Sequence, residues 1–230
     1  MINLSLQGDY TKVSSDRTHF YFVGNTGLNI VNRKTHSSEG FISFSGGFSS
    51  VWAKDDIFVY LGSPTSGLYF FEKPVIFKAG QDLTSKLAKD HRNTQLQSLN
   101  ILSINGLNRN YFAIGTDVGV ELITTPSGIF YSNFYTDVEC VTIHPETFDL
   151  YYGGAFGLAF KRGLVTSNWS SPDEIMQSPF LPDTHVQDID LIVEGSDTMV
   201  GVATYNGVVF IKQRDPIIFS PTTKLYVGGT

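Results

Sequence analysis

One unit of sequence recurs five times along the chain, and it constrains the fold more than any other feature. An alternating apolar run ends at a glycine, a short turn follows, a second glycine closes the turn, and another alternating run begins. Alternation with a period of two is typical of a half-buried strand, and glycine supplies the positive φ that a tight turn needs. Each unit is therefore predicted to be a β-hairpin. The five copies are Phe20–Ile30, Ile57–Phe70, Tyr111–Leu122, Leu150–Phe160 and Met199–Phe210.

The spacing of the copies indicates a repeat architecture with four strands in each unit. The closing glycines are separated by 40, 52, 38 and 50 residues and are Gly27, Gly67, Gly119, Gly157 and Gly207. A further apolar run precedes each hairpin, at Tyr10–Val13, Phe48–Ala53, Leu99–Ile104, Val138–Ile143 and Val186–Ile192. Another apolar run follows each hairpin, at Phe41–Phe44, Val75–Phe77, Ile129–Tyr131, Leu164–Val165 and Ile217–Phe219.

Five units of this size predict a β-propeller. A four-stranded sheet has two faces to bury, and a ring covers both by placing a neighbour on each side. We expect an all-β chain, a five-bladed β-propeller that forms a single domain over residues 1–230. The high aromatic content of 13% and the 22 glycines fit short strands joined by tight turns. The aromatic residues expected in the cores between blades are Tyr60, Tyr69, Phe70, Phe71, Tyr151, Tyr152 and Phe210.

The two longest intervals contain inserts, Lys78–Gln97 and Ser170–His185. Each insert is expected between the last strand of one blade and the first strand of the next, which places both on one face of the ring. In the first insert Leu83 and Leu87 are four residues apart, the spacing of one helix face.

The second insert begins with a helix-capping pattern, in which Ser171 is followed by Pro172 and, three residues after the serine, by Glu174. We therefore expect two short helical inserts on one face. Long loops on a rigid scaffold often carry binding residues, although such a loop can also be passive. The candidate contact residues near the inserts are Lys86, Arg92 and Trp169.

The two ends of the chain also look like strands. Met1–Gln7 alternates apolar and polar residues, and we expect it at the outer edge of the last blade, where it would fasten the ring. The tail Leu225–Thr230 resembles the strand before a hairpin turn. It is either an edge strand, which we favour, or the remnant of a sixth repeat.

Polar residues of the innermost strands are the other candidate binding site, because these strands line the axis of a propeller. Aligning the five strands puts one polar residue of each at the channel mouth, namely Asp9, Ser49, Asn100, Glu139 and Asp188. Paired carboxylates at such a mouth could act as acid and base on a glycoside. Alternatively, the channel is filled with water and these residues only hydrate it.

Several functions are excluded by composition and motifs. The net charge of -6, without long charged runs, argues against nucleic acid. Five histidines without paired ligand spacing predict no metal site, and no phosphate-binding glycine loop is present, so no cofactor is expected. The single cysteine, Cys140, is expected to be a small buried residue. No apolar segment is long enough to cross a membrane and no secretion signal is recognisable, which favours a location in the cytoplasm or in a virion.

The repeat resembles a small β-propeller over nearly the whole chain, without the dipeptide or double-glycine signatures of the large propeller families. Its Ser-, Thr-, Asn- and Phe-rich sequence is similar to propeller modules of bacteriophage structural proteins. That resemblance implies a non-enzymatic protein-interaction module, a subunit of a larger assembly such as the tail, collar or portal region of a virion. Its partners would be other proteins of the assembly, including further copies of itself. The alternative is a carbohydrate-binding or glycoside-cleaving propeller acting at the channel mouth.

Overall fold

The computed structural model describes residues 9–91, 100–108, 110–124, 128–133, 137–161, 174–176, 181–194, 197–213 and 225–227. Within these ranges the regular structure is β-sheet apart from a single 3₁₀ turn, so the all-β prediction is confirmed. A helix that could span a bilayer is absent from the same residues.

The strands form five sheets that follow one another in chain order. Sheet 1 contains β1 (Tyr10–Ser15), β2 (His19–Gly24), β3 (Gly27–Asn32), β4 (Ser38–Ser43) and β8 (Gln81–Asp82). Sheet 2 contains β5 (Ser50–Trp52), β6 (Phe58–Ser63), β7 (Gly67–Glu72) and β9 (Ala88–Lys89). Sheet 3 contains β10 (Ile101–Asn108), β11 (Tyr111–Thr116), β12 (Gly119–Thr124) and β13 (Gly128–Asn133). Sheet 4 contains β14 (Val138–Ile143), β15 (Leu150–Gly154), β16 (Gly157–Lys161) and β17 (Glu174–Met176). Sheet 5 contains β18 (Val186–Glu194), β19 (Asp197–Thr204), β20 (Gly207–Gln213) and β21 (Leu225–Val227).

The five predicted hairpins are confirmed. In each sheet the second and third strands pair antiparallel across the predicted turn. The closing glycine has a positive φ in all five turns, which explains why glycine recurs there. These φ values are 125° at Gly27, 90° at Gly67, 144° at Gly119, 113° at Gly157 and 131° at Gly207.

Apolar side chains fill the space between successive sheets. The first strands lie against each other in the order β1, β5, β10, β14 and β18. Each of the four interfaces between them contains a buried apolar cluster. Representative pairs across these interfaces are Ile30 with Val51, Tyr60 with Ile104, Leu122 with Val141, and Phe160 with Ile189. The expectation of aromatic side chains between sheets is confirmed for the buried Tyr60, Phe71, Tyr151 and Tyr152, whereas Tyr69, Phe70 and Phe210 are only half-buried.

The turn after the first strand is held in the same way in four sheets. A side chain at or directly after the end of the strand accepts a hydrogen bond from the backbone N–H two residues further on. At three of the four sites it also accepts one from the N–H three residues further on. This arrangement mimics a backbone turn. The accepting atoms are Asp16 Oδ1, Asp55 Oδ1, Asn108 Oδ1 and His144 Nδ1. Because Nδ1 of His144 is an acceptor, its Nε2 carries the proton and donates to Thr198 Oγ1 at 2.8 Å.

The first insert differs from its prediction in position and in structure. The fourth strand of sheet 2 is Ala88–Lys89, so the first half of the insert lies between the third and fourth strands of that sheet. It crosses to sheet 1, where β8 pairs parallel with β4, and it contains a 3₁₀ turn, Thr84–Lys86, rather than an α-helix. Leu83 and Leu87 pack into the core between sheets 1 and 2. Their four-residue spacing therefore reflects packing of an irregular segment, not helical periodicity.

The later predictions for the outer strands are partly wrong. Glu174–Met176, expected in a helix, is the fourth strand of sheet 4. Ser171, Pro172 and the runs Leu164–Val165 and Ile217–Phe219 lie outside the described residues. Leu225–Val227 pairs with β20 and is the edge strand of sheet 5, the alternative that the sequence favoured for the tail. Met1–Gln7 lies outside the described residues as well.

Candidate functional site

The first strands of all five sheets line a central cavity of about 380 Å³. Its charged lining residues are Lys12, Lys54, Asp188 and Asp190. Two serines of the lining also connect neighbouring sheets, because Ser14 Oγ accepts the N–H of Ala53 at 3.1 Å and Ser103 Oγ accepts that of Val141 at 3.2 Å. Of the five residues predicted at the channel mouth, only Asp188 lines this cavity.

The predicted ring of five polar residues at one level is wrong, because the five residues do not occupy equivalent positions in their first strands. In sheets 1, 3, 4 and 5 the register between the first and second strands shifts by one residue near the start of the first strand. In these four sheets the residues directly after the shift are Lys12, Ser103, Cys140 and Asp188. In sheet 2 the residue at the same position is Ser50. Ser49 and Glu139 lie one residue earlier, whereas Asp9 and Asn100 lie three residues earlier. The five residues therefore do not form one level along the channel.

Glu139 takes part in a polar cluster at the rim of the channel. Its Oε1 atom lies 2.5 Å from Nε2 of His185, a residue far away in sequence. The backbone N–H of His185 donates to Asp183, whose other carboxylate oxygen accepts from Asn206. The His185 ring meets the exposed Tyr205 ring edge to face at 4.6 Å. The cluster links the entry to sheet 5 with a hairpin turn of the same sheet.

The remaining predicted residues at the mouth have structural surroundings. Ser49 Oγ donates to the carbonyls of Gly62 and Ile101, and so ties sheet 2 to sheet 3. Asn100 carries a buried Oδ1 without a hydrogen-bond partner among the described residues. Asp9 is exposed, and its carbonyl accepts the N–H of Asn25. Buried Cys140 confirms its prediction, and burial raises the pKa of its thiol well above the ordinary value.

Of the candidate contacts near the inserts, the structure describes only Lys86. It is the last residue of the 3₁₀ turn and is exposed on the outer side of sheet 1. Arg92 and Trp169 lie outside the described residues.

A larger cleft, of about 1000 Å³, lies between sheets 1 and 2 at the ends where the first strands finish. Its floor is built around Lys73, whose Nζ donates to Asp16 Oδ2 at 2.8 Å and to the carbonyls of Ala53 and Asp55 at 2.8 and 2.6 Å. The Tyr21 hydroxyl donates to the same Asp16 oxygen at 2.7 Å. Charge-assisted hydrogen bonds of this kind hold the two sheets in a fixed relation.

The surroundings of Asp16 strongly favour its ionised form. Burial alone would raise the pKa of Asp16. The hydrogen bonds from Lys73, Tyr21 and the backbone N–H groups of Thr18 and His19 outweigh burial and hold that pKa well below its ordinary value. Burial and the adjacent Asp16 carboxylate raise the pKa of Tyr21. The cleft floor therefore contains a permanent ion pair at neutral pH.

His19 extends the network along the cleft. Its Nε2 atom lies 2.8 Å from Glu39 Oε2, and its Nδ1 atom lies 2.8 Å from Thr18 Oγ1. Asn32 donates to the other oxygen of Glu39 at 3.2 Å. The ring of Phe77 packs on His19 with centroids 4.5 Å apart.

The lip of the cleft is apolar and exposed. Val75 is fully exposed, and Ile76 and Ile57 are 74% and 46% exposed. The segment Val75–Phe77 was predicted as an outer strand, but it is irregular and lies beside the charged floor. The sequence pattern could not reveal this cleft, because its ion pair joins residues 57 positions apart and its apolar lip has the composition of a strand.

Comparisons with known proteins identify the fold but no family. Neither a protein-family model nor a curated protein matches the sequence. The major Malassezia sympodialis allergen Mala s 1 matches with a TM-score of 0.60 and 11% identity, over 90% of this chain and 75% of that one. The WD40 β-propeller domain of Doa1 matches with a TM-score of 0.62 and 13% identity, over 90% and 64% of the two chains.

The computationally designed Ika8 protein is a third similar structure. It matches with a TM-score of 0.59 and 12% identity, over 90% of this chain and 59% of that one. This chain thus spans less than two thirds of the length of Doa1's propeller domain and of Ika8. At such low identity the likeness shows the fold alone, a propeller-like succession of β-sheets.

Proposed function

We propose that this chain supplies five blades of a β-propeller and acts as a non-enzymatic protein-interaction module, a structural subunit of a larger assembly. The observation that carries the proposal is the cleft between sheets 1 and 2. It combines a rigid charged floor, Asp16 with Lys73, and an exposed apolar lip, Ile57, Val75 and Ile76. Contiguous exposed apolar side chains beside polar groups are typical of protein-binding surfaces.

The setting that we propose is a bacteriophage virion, in its tail, collar or portal region. Its support is the compositional similarity to propeller modules of phage particles. Within such a particle the cleft would hold an apolar side chain of the partner between the lip and the ion pair. Carboxylates and ammonium groups at the rim, such as Asp56, Glu72 and Lys54, would orient the partner.

The test is partner retention by a double variant of the lip, Val75→Asp with Ile76→Asp. Affinity purification of the tagged chain from its source, followed by a binding titration with the recovered partner, measures the effect. We expect binding at least about tenfold weaker, the consequence of losing a contact worth more than 1 kcal/mol. Since both side chains are exposed, the thermal unfolding of the variant should match that of the wild type.

The matched control is Val118→Asp, an exposed valine in the hairpin turn of sheet 3 and outside the cleft. This variant should retain the partner at wild-type affinity. Unchanged partner binding by the lip variant, or equal loss by the control, would contradict the proposed docking surface.

A carbohydrate-binding or glycoside-cleaving propeller is the second candidate. The observation in its favour is the central cavity, whose 380 Å³ falls within the range of small-molecule sites and whose lining includes two carboxylates, Asp188 and Asp190. Under this alternative, Asp188→Ala and Asp190→Ala should abolish glycan binding or turnover, measured by calorimetry and by release of reducing ends. Asp197→Ala, at the far end of β18 and β19, is the control that should leave both unchanged.

A further inference from the structure

Each sheet covers its neighbours in a regular way. The face that a sheet turns to the next sheet in the chain meets the first strand of that next sheet. In sheets 2, 3 and 4 a glycine of the second strand lies at this contact, namely Gly62 against Ile101, Gly115 against Val138 and Gly153 against Val186. If the five sheets formed a closed ring, the corresponding face of sheet 5 would meet the first strand of sheet 1.

The face of sheet 1 that sheet 5 would meet is partly exposed, and Val13 and Phe20 on this face also line the central cavity. Val13 is 56% exposed. The residues at the same register position in the other four sheets are 4 to 7% exposed and are Val51, Ile104, Val141 and Ile189. Phe20 and Phe22, which lie on the same face as Val13 in the neighbouring strand, are only half-buried.

The corresponding surface of sheet 5 is also less covered than its counterparts in the other sheets. Val208, directly after the closing glycine of its hairpin, is only half-buried, as is Phe210 on the same face. The residues at the position of Val208 in the other four sheets are almost completely buried. They are Leu28, Leu68, Val120 and Leu158. Gly201 and Ala203 on β19 are small residues, like the glycines that allow the next sheet to approach closely in sheets 2, 3 and 4. We call these two surfaces, Val13 with Phe20 and Phe22 and Val208 with Phe210, the open seam.

The residues of the open seam are apolar and carry the same pattern as the covered faces. Four interfaces between sheets contain a buried apolar cluster, and the described residues show no fifth cluster between sheets 5 and 1. Two half-exposed apolar faces in one molecule are unfavourable in water, since burial of apolar surface is worth roughly 25 cal/mol per Å². A sheet placed in the seam would continue both interfaces with the contacts that the chain already uses four times.

We propose that the open seam binds one further four-stranded antiparallel sheet of the same repeat type, supplied by a partner polypeptide of the assembly. The proposal rests on the proposed function as an interaction module and names the chemistry of one partner. The occupant is a sheet, because the equivalent residues at the other four interfaces pack against the alternating apolar face of a neighbouring sheet.

The experiment measures the accessibility of the seam by thiol labelling. In a background without the buried thiol, Cys140→Ala, two single-cysteine variants are compared: Val13→Cys in the open seam and Val75→Cys on the exposed lip. A six-sheet protein is then made by repeating residues 137–181, which span the strands of sheet 4, after Thr230 through a flexible linker. The same cysteine variants are introduced into it, with position 140 of the appended copy also changed to alanine.

We expect rapid maleimide labelling of both cysteines in the five-sheet chain. In the six-sheet protein Val13→Cys should react at least about tenfold more slowly, because a buried thiol reacts only through local opening, whereas Val75→Cys should be unchanged. Leu158→Asp in the appended copy alone is the matched control. It places a charge on the face that would meet the seam, and it should restore rapid labelling.

Three results would overturn the proposal. Slow labelling of Val13→Cys in the five-sheet monomer would show that sheets 5 and 1 close on each other. Slow labelling that appears only as the five-sheet chain dimerises, followed by light scattering, would show that a second copy covers the seam. Equal rates in the five- and six-sheet proteins would show that the seam accepts no further sheet. None of these outcomes depends on the lip of the cleft, so failure of the proposed docking surface is recognised separately.

Discussion

At the scale of single residues, the Lys73 ammonium is the most consequential charge in the described structure. Three oxygens accept its hydrogen bonds, one from Asp16 in sheet 1 and two from backbone carbonyls that follow β5 in sheet 2. Lys73 thereby joins two sheets through charge-assisted bonds where the first apolar cluster ends. Both charged side chains are mostly buried, so each depends on the other for compensation.

Asp16→Asn should destabilise the protein by roughly 3 kcal/mol at pH 7, because it leaves a buried ammonium without its carboxylate. The measurement is the free energy of unfolding by denaturant. The control is Asp197→Asn, which removes the partner of Lys212 in a more exposed pair and should cost less than about 1 kcal/mol. Equal effects of the two substitutions would contradict a special role for Asp16.

The same pair sets a pH dependence with a definite sign. The pKa of Asp16 is lower in the folded chain than its ordinary value of 3.8, so in the acid range the unfolded chain binds the proton more readily. The stability that Asp16 contributes is complete above pH 4 and is lost as the pH falls further. The difference between wild type and Asp16→Asn should therefore shrink below pH 4.

Glu121 shows the opposite dependence. It is 5% exposed, its Oε2 has no hydrogen-bond partner among the described residues, and burial raises its pKa from 4.5 to about 7. The folded chain therefore holds a proton that the unfolded chain releases, and stability falls as the pH rises from 4.5 to 7, by up to about 3 kcal/mol. Glu121→Gln should be more stable than wild type at pH 8 and should not show this fall. Parallel stability curves for the two proteins would refute the assignment.

At the scale of elements, the glycines of the second strands determine how closely sheets approach. A Cβ atom added at Gly115 would lie 2.3 Å from the carbonyl oxygen of Val138 in the next sheet. One added at Gly153 would lie 2.5 Å from Cγ1 of Val186. Such distances are far below van der Waals contact, so the first strand of the next sheet would have to move.

Gly115→Ala should accordingly destabilise the protein by about 1 to 3 kcal/mol, the usual cost of overpacking a well-packed interface. Gly201→Ala is the matched control in β19. Its added Cβ would lie 3.2 Å from the Phe210 ring, which is half-buried at the open seam and can turn, and at an ordinary contact distance of 3.7 Å from the carbonyl oxygen of Asp190. The control should be close to neutral in thermal unfolding, and a comparable loss in both variants would argue that strand propensity, not sheet approach, is responsible.

At the scale of the whole molecule, the sheets differ in how they are covered. Sheets 2, 3 and 4 have an apolar cluster on both faces, whereas the described residues of sheets 1 and 5 show one on a single face. In a repeat protein each unit is stabilised by its neighbours, so an end unit has the lower local stability. The five sheets should therefore not open with equal ease.

Hydrogen exchange followed by mass spectrometry should show this gradient. We expect the slowest exchange in β6, β11 and β15, and faster exchange in β19 and β20 of sheet 5, because local opening requires less energy where one face is uncovered. The six-sheet protein should slow exchange in β19 and β20 and leave β11 unchanged. Uniform protection of all five sheets in the five-sheet chain would contradict the gradient.

Much of the fold could be predicted from local pattern. Alternation and the closing glycines located all five hairpins, since the hydrogen-bonded turn and its positive φ depend on residues within a few positions of each other. Outer strands such as Val75–Phe77 were misplaced, because a short apolar run reads alike whether it pairs in a sheet or lies exposed on a loop. The predicted common level of Asp9, Asn100 and Asp188 was wrong for a related reason, since apolar runs in the sequence do not show which residues of the five first strands take equivalent positions.

The sequence by itself determined the period of the repeat, the all-β class and the hairpin turns, because each is set by contacts within one unit. Only the tertiary structure decided which side chains meet between units: the pairing of Asp16 with Lys73, the contact of Glu139 with His185, and the exposure of Val13. These depend on the distance and register between sheets. Glycines and bulges set that geometry by how closely they let one strand approach another, and alternation along a single strand does not report it.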